Sequence, residues 1–512
     1  MWNLFKRSQK LIKIFFSFRR LSRSDDIDSQ QRARHSLMQQ FADARGVTMK
    51  VGQLFAAAGE AADELAPLIK SIEPLPLKKM LPVIEKSLGC SWKKVFKSID
   101  ESIAAASLGQ VHHAVLQNGD EVAIKVQYPD IQMAIDAEMK LLGMMPKAGP
   151  VKQWSFDLDG YRHVLKDNMH NELDYRHEAQ TQIFFLHHLN LPAVVVPFVY
   201  EHLSSEKLLV QSWEEGLYLD QTLNWPQQSR EKIACTLLGL LLTSLFKTRQ
   251  LHADPHMGNS YFRNKENTSS EIEMVLMDFG CTIELSEAQS LALLKLIISL
   301  REKTSGLPIR NFAAMGFDAE KLARIEPYLP RLCLYLFEPF LKDEVFRLNH
   351  WQVGEKITDF LAEKRWWFRS AGPAKLIFIM RAFQGFTQQL QMLNVDINWW
   401  KVLHEVLPED LIEKARNYQC PVVGENESIK ALANVLKVKV IKQGVTKVEV
   451  DLPAEAVLNL EQFIPAEIQL KLKKSSEIDL KEIIEKVRLS SLAAQTVFDY
   501  EDNNQRYQVW LE

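Results

Sequence analysis

Asp254 and Asn259 stand five positions apart in "HADPHMGN", and Asp278 opens "DFG" nineteen positions later. Carboxylate and amide oxygens are the hard donors that magnesium takes, and a further carboxylate can sit beside an attacking hydroxyl or water. An H-x-D-x-x-x-x-N loop followed by D-F-G supplies both, with Asn259 and Asp278 as magnesium ligands and Asp254 as the catalytic carboxylate. The competing reading of "HADPH" is a zinc site made of His252 and His256. Those two would have to share a helix face, and Pro255 between them argues against that helix. His252 is then a packed scaffold residue of the loop.

Metal-dependent phosphoryl transfer also needs a cation that reaches the phosphates. Lys125, in "VAIK", falls on the second strand of a hairpin turned at Asn118-Gly119. Glu178, in "DYRHEAQ", is the natural residue to hold that lysine from a following helix. "AAASLGQV" (104–111) aligns with the phosphate-covering pattern G-x-G-x-x-G-x-V, with Ala104 and Ala106 at the first two glycine positions and Gly109 and Val111 kept. Alanine lacks glycine's conformational freedom, so a loop of Ala104, Ala105, Ala106 and Ser107 is stiffer over a nucleotide. Glu214, where the small lobe gives way to the large one, completes the nucleotide-binding candidates. ATP and Mg2+ are the cofactors this set implies.

The elements that must position these residues follow from pattern changes along the chain. Residues 25–100 read as helices joined by proline-bearing turns. From 103 the period becomes that of strands, "VHHAVL" and "VAIKVQYP", with helices at 130–145 and 157–190. A strand pair around "VVVPFVY" and "KLLVQSWEEG" precedes long helices from 228, "EMVLMDFG" is a further short strand, and 285–417 is helical. After "YQCPVVGENESIK", a linker by composition, strands and a capped helix make a small α+β module. The expected architecture is α+β: a basic segment (1–24), a helical extension (25–100), a small lobe (101–213), a helical large lobe (214–417) and the terminal module (431–512).

Composition sets the outer limits. The 512 residues are 46% hydrophobic and 25% charged, enough for a sizeable core, and a net charge of −3 gives no global field for nucleic acid. The five cysteines, Cys90, Cys235, Cys281, Cys333 and Cys420, have no metal or redox spacing, which suits reduced thiols in the cytoplasm. No apolar stretch approaches the ~20 residues that cross a bilayer. The first 23 residues carry seven basic side chains, no acid and five large aromatics. Such a segment either lies in an anionic membrane interface, peripheral on its inner face, or packs as a terminal helix.

Four further stretches give the sequence its resemblance to the AarF/UbiB family of atypical kinases. They are "KVGQ" (Lys50, Val51, Gly52, Gln53), "AAAS" (104–107), "ELD" (Glu172, Leu173, Asp174) and "HADPHMGN" itself. The resemblance covers roughly 26–400. It implies a two-lobed protein-kinase-like fold whose K-x-G-Q extension crosses the active site, with Lys50 paired to Glu172 where a protein substrate would dock. It also implies ATPase rather than ordinary protein kinase activity, in support of ubiquinone and other isoprenoid-lipid biosynthesis, with a lipid or quinone precursor as a candidate partner. The residues agree on one point by themselves. "CTIELSEAQSLALL" runs from D-F-G straight into a helix, leaving no room for an activation segment or an A-P-E motif. The rival readings are a non-catalytic, nucleotide-dependent scaffold and a conventional protein kinase. The terminal module reads as a binding, oligomerisation or regulatory unit through which a protein partner could attach.

Overall fold

The structure, a computed structural model, describes residues 74–105, 108–133, 135–136, 157–265, 271–304, 307–421, the four strands between 435 and 511, and a few residues near them. The basic segment 1–24, Lys50, Gly52, Gln53, Ala106 and Ser107 lie outside the described residues.

Helix α1 (Leu77–Leu88) follows Pro76 and stops at Gly89, whose φ of 67° is the left-handed geometry of a helix end. It buries Met80 and Ile84, four apart on one face, against the small-lobe sheet. Strand β1 (Phe96–Ala105) begins inside the stretch the sequence pattern assigns to helices. The reason is a bulged ladder: its register against β2 (Gly109–Leu116) shifts three times, so only Phe96 and Ile99 become buried and no alternation survives. Strand β3 (Glu121–Gln127) returns through the Asn118-Gly119 turn, where Gly119 takes a φ of 98°. Helices α2 (Leu158–Glu172) and α3 (Tyr175–His188) follow, each begun by an aspartate cap, Asp157 and Asp174.

The next two strands correct the expected pairing of "VVVPFVY" with "KLLVQSWEEG". Strand β4 (Val194–Val195) pairs parallel with a strand of the large lobe, whereas β5 (Leu208–Ser212) completes the antiparallel sheet β1-β2-β3-β5. Only a single bridge, Val199 to Gln211, joins the two stretches.

In the large lobe, α4 (Gln227–Leu242) continues into a π-helical turn, Thr243–Lys247. Four short strands carry the phosphotransfer motifs: β6 (Gln250–His252), β7 (Ser260–Asn264), β8 (Ile272–Leu276) and β9 (Thr282–Glu284). Strands β6 and β9 pair antiparallel, and β4-β8-β7 form the second small sheet. Helix α5 (Glu287–Glu302) starts at once with a capping box from Ser286 and Gln289. The rest is helical: α6 (Pro308–Ala314), α7 (Ala319–Ala323), α8 (Leu329–Leu336), α9 (Val353–Leu361), α10 (Arg365–Ala371), α11 (Leu376–Leu393), α12 (Trp399–Val406) and α13 (Glu409–Asn417). Its core is aromatic. Trp399, 1% exposed, meets Phe340, Trp351 and Phe386 edge-on at 5.3, 5.8 and 6.2 Å. Each such pair adds about 0.5–1.5 kcal/mol to the burial itself.

The terminal module is an antiparallel sheet, β11 (Val445–Pro453), β10 (Val435–Lys442), β13 (Gln505–Leu511) and β12 (Gln495–Asp502) in that order. Gln443 and Gly444 turn the first hairpin with positive φ at both positions, as a two-residue turn with the native strand twist requires.

Candidate nucleotide and phosphotransfer site

The alternation of β3 decides where Lys125 goes. Val122, Ile124 and Val126 are fully buried in the small-lobe core, so Lys125, on the opposite face, points into the cleft between the lobes. Its Nζ lies 2.7 Å from Glu178 Oε1 and 3.2 Å from Asp278 Oδ1, and the Tyr175 ring stands 5.3 Å away. Burial alone would lower the lysine, but the charges of Asp278 and Glu178 outweigh it and hold Lys125 well above its ordinary value. Glu178 is deeper, and burial pushes its carboxyl up to about 7 despite the neighbouring ammonium. Two carboxylates thus share one cation. Tyr175, itself 1% exposed, has its hydroxyl pushed upward chiefly by burial.

Asp278 adopts a φ of 61°, which aspartate tolerates better than most side chains. Its Oδ1 accepts from the Gly280 amide at 3.1 Å, and its carbonyl lies 2.7 Å from His252 Nε2. Phe279 is fully buried between Phe185 (5.2 Å) and His252 (6.0 Å), so the D-F-G phenylalanine ties α3 to the loop histidine. His252 is therefore a scaffold residue, as expected. His256 accepts from the Gly258 amide within its own turn. Among the described residues no group of three or more His, Cys, Asp or Glu side chains could hold a metal.

The candidate donors for magnesium are Asn259 and Asp278. Asn259 gives its Nδ2 to the Asp254 carbonyl at 3.0 Å, which leaves its Oδ1 as an acceptor, and its carbonyl takes the Met277 amide at 2.9 Å. Asp278, two-fifths exposed at its side chain, presents the second oxygen source. An amide oxygen and a carboxylate beside a phosphate-facing lysine fit a magnesium ion completed by water and phosphate oxygens.

Asp254 has a partner the sequence did not suggest. Arg381, on α11, places Nη2 2.6 Å from Asp254 Oδ1. The two are 127 positions apart. The only available signal was that Arg381 is the lone charged residue in the eighteen of α11.

The remaining candidates separate. Glu172 is 5% exposed, and a Cβ at Gly280 would meet Asp278 Oδ1, Glu178 Oε2 and the Glu172 Cγ at 3.2, 3.6 and 3.7 Å, so three acidic side chains pack around that glycine. Asp174 faces outward instead. It caps α3 and forks with Arg176, which holds its carboxyl below the usual range. Glu214 is bound by Arg263 at 2.9 Å and by the Ser212 hydroxyl at 3.2 Å, so its side chain braces the lobe junction. Ala104 and Ala105 close β1, as strand rather than loop.

A four-stranded antiparallel sheet over a helical lobe, with lysine, glutamate and a D-F-G aspartate meeting between them, defines a protein-kinase-like fold. Residues 67–306 match the family model of the ABC1 atypical kinase-like domain. Residues 67–306 are therefore similar to that family's domain, in agreement with the resemblance to the AarF/UbiB kinases. It is 30% identical to the mitochondrial atypical kinase COQ8B of Danio rerio over 48% of this chain and 39% of that protein. It is 28% identical to the mitochondrial atypical kinase COQ8 of Saccharomyces cerevisiae over 48% of this chain and 50% of that one. The matches thus span half or less of these curated relatives. The structure of Rv3197 with erythromycin, from Mycobacterium tuberculosis, is similar at 25% identity and a TM-score of 0.49, over 74% of this chain and 97% of that one. Among the described residues no helix is long and apolar enough to cross a membrane.

Proposed function

We propose that this chain binds MgATP between its lobes and transfers the terminal phosphoryl group to water or to a small lipid-like acceptor, in support of isoprenoid quinone metabolism. The observation that carries the reading is the path after D-F-G. From Cys281 the chain forms β9 and enters α5 at Glu287, six residues on, so a protein substrate has no docking segment. The quinone association rests on family resemblance.

In this reading Lys125 binds phosphate oxygens and Glu178 holds it in place. Asn259 and Asp278 hold magnesium, which when bound neutralises charge developing on the phosphates. Asp254 orients the attacking oxygen and accepts its proton. A new P–O bond forms as the bridging bond to the β-phosphate breaks, and ADP leaves with that electron pair.

The test is phosphate release by the full chain with MgATP, with and without vesicles of anionic lipid, beside Asp278→Asn and Lys125→Met. Release that depends on both residues supports the reading. Nucleotide binding with equally slow release by wild type and Asp278→Asn would leave a nucleotide-dependent scaffold instead.

A further inference from the structure

The loop H-A-D-P-H-M-G-N contains no lysine or arginine between His252 and Asn259, and Ala253 occupies the position before the aspartate where ordinary protein kinases carry arginine. The cation at Asp254 comes from elsewhere in the chain. We propose that Arg381 is a positioning residue for phosphoryl transfer, fixing the Asp254 carboxylate so that Oδ2 is offered to the attacking oxygen. This rests on the phosphotransfer reading above.

The geometry of α11 carries the proposal. Arg381, Gly385 and Gln389 follow one another at intervals of four, one face of the helix. All three bear on the catalytic loop. Arg381 reaches Asp254, and Gln389 Nε2 donates to the Pro255 carbonyl at 2.6 Å. At Gly385 an added Cβ would stand 3.0 Å from both the ring and the carbonyl oxygen of Pro255, so the helix backbone approaches the loop directly. A helix docked so closely holds its arginine in a fixed place.

The guanidinium is also only half used. Arg381 is nine-tenths buried, its Nη2 is committed to Asp254 Oδ1, and its Nη1 is buried without a hydrogen-bond partner. A guanidinium prefers two parallel bonds to one oxyanion group, so a buried, unmatched nitrogen is a costly arrangement for the fold alone. Burial opposes its charge, yet the surrounding carboxylates, Asp254 foremost, keep it protonated. Asp254 keeps its other oxygen, Oδ2, outside this contact and its side chain one-fifth exposed. One oxygen is thus anchored and the other is left outside the contact with Arg381. When water attacks the terminal phosphorus, its proton passes to Oδ2, the bond to the bridging oxygen breaks, and ADP takes the electron pair.

The experiment uses the full chain and the variants Arg381→Gln and Arg381→Lys. Four quantities are measured: turnover of MgATP, KM for MgATP, melting temperature, and affinity for MgADP with and without aluminium fluoride, which mimics the transferring phosphoryl group. The expected result for Arg381→Gln is a fall in kcat on the order of 100-fold, the scale seen when one preorganised donor is lost. KM and affinity for MgADP alone stay near wild type, the gain in affinity from aluminium fluoride is lost, and Arg381→Lys recovers part of both. Unchanged kcat and an unchanged aluminium fluoride gain overturn the proposal. So does a parallel loss of turnover, nucleotide affinity and melting temperature in both variants, which marks a merely structural arginine. If wild type binds MgATP without turning it over, the function reading fails, and the aluminium fluoride arm alone decides Arg381.

Discussion

Replacing Gly109 by alanine tests how rigidly the phosphate-loop strands are set. A Cβ there would lie 2.3 Å from the Val126 carbonyl oxygen, 3.0 Å from its carbon and 2.7 Å from the Tyr175 hydroxyl. Ordinary contact would need about 1 Å more, and the atom in the way is backbone, so rotation of a side chain cannot relieve it. The start of β2 must move off β3, where Gln110 faces Val126 and Val111 faces Lys125. Tyr175 cannot give way freely either, being buried beneath Lys125. Overpacking of this kind costs about 1–3 kcal/mol, and at about 2–4 °C per kcal/mol the melting temperature of the kinase-like unit falls by several degrees. The same displacement carries Lys125 away from Glu178 and Asp278, and a misplacement of about 1 Å at a reacting site can cost on the order of 100-fold in rate. Gly89→Ala is the control: it introduces strain at a positive φ with nothing within 4 Å of the added Cβ. It should lower the melting temperature and leave MgATP affinity alone. Wild-type melting and wild-type affinity in Gly109→Ala would show that β2 and β3 adjust easily there, and the close-approach argument would fall.

Two further predictions concern charge and core. Burial pushes Glu178 up to about 7, so it is protonated below that pH and ionised above it. MgATP affinity, measured by calorimetry, should weaken as pH drops through 7 while Lys125 loses a partner, and Glu178→Gln should remove that step; the same step in the variant would refute the assignment. Trp399→Ala empties the aromatic centre of the large lobe and should cost about 3–5 kcal/mol in chemical denaturation, whereas a loss under 1 kcal/mol would mean that Phe340, Trp351 and Phe386 collapse into the space.

The local motifs were legible because their chemistry and their structure coincide. Asn118-Gly119 marks both a hairpin turn and the distance to Lys125, and the D-F-G triplet marks both a donor and the buried Phe279. The rest was set by contacts far apart in the chain. Strand β1 hides its period because bulges move its side chains off strict alternation. Strand β4 looks like a partner of β5, yet its two valines pair in parallel with Met274 and Val275. Arg381 meets Asp254 only once α11 has docked, and no spacing within a window of ten or twenty residues encodes that meeting.

The catalytic loop and the D-F-G segment consequently behave as one unit. His252 pairs with Thr282 and Leu251 with Ile283 across β6 and β9, the Ala253 amide donates to the Cys281 carbonyl, and the Met277 amide to Asn259. Swinging Asp278 outward would break this pairing, at about 1 kcal/mol for each buried bond, and would draw Phe279 out from between Phe185 and His252. With only six residues from Cys281 to the start of α5, no slack absorbs such a motion. The small-lobe strand β3 meets this unit through Lys125 and Asp278, whereas α3 is also tied to it through Phe185 and Phe279. The Lys125 ammonium thus joins β3, α3 and the D-F-G segment at one point, through Glu178 and Asp278.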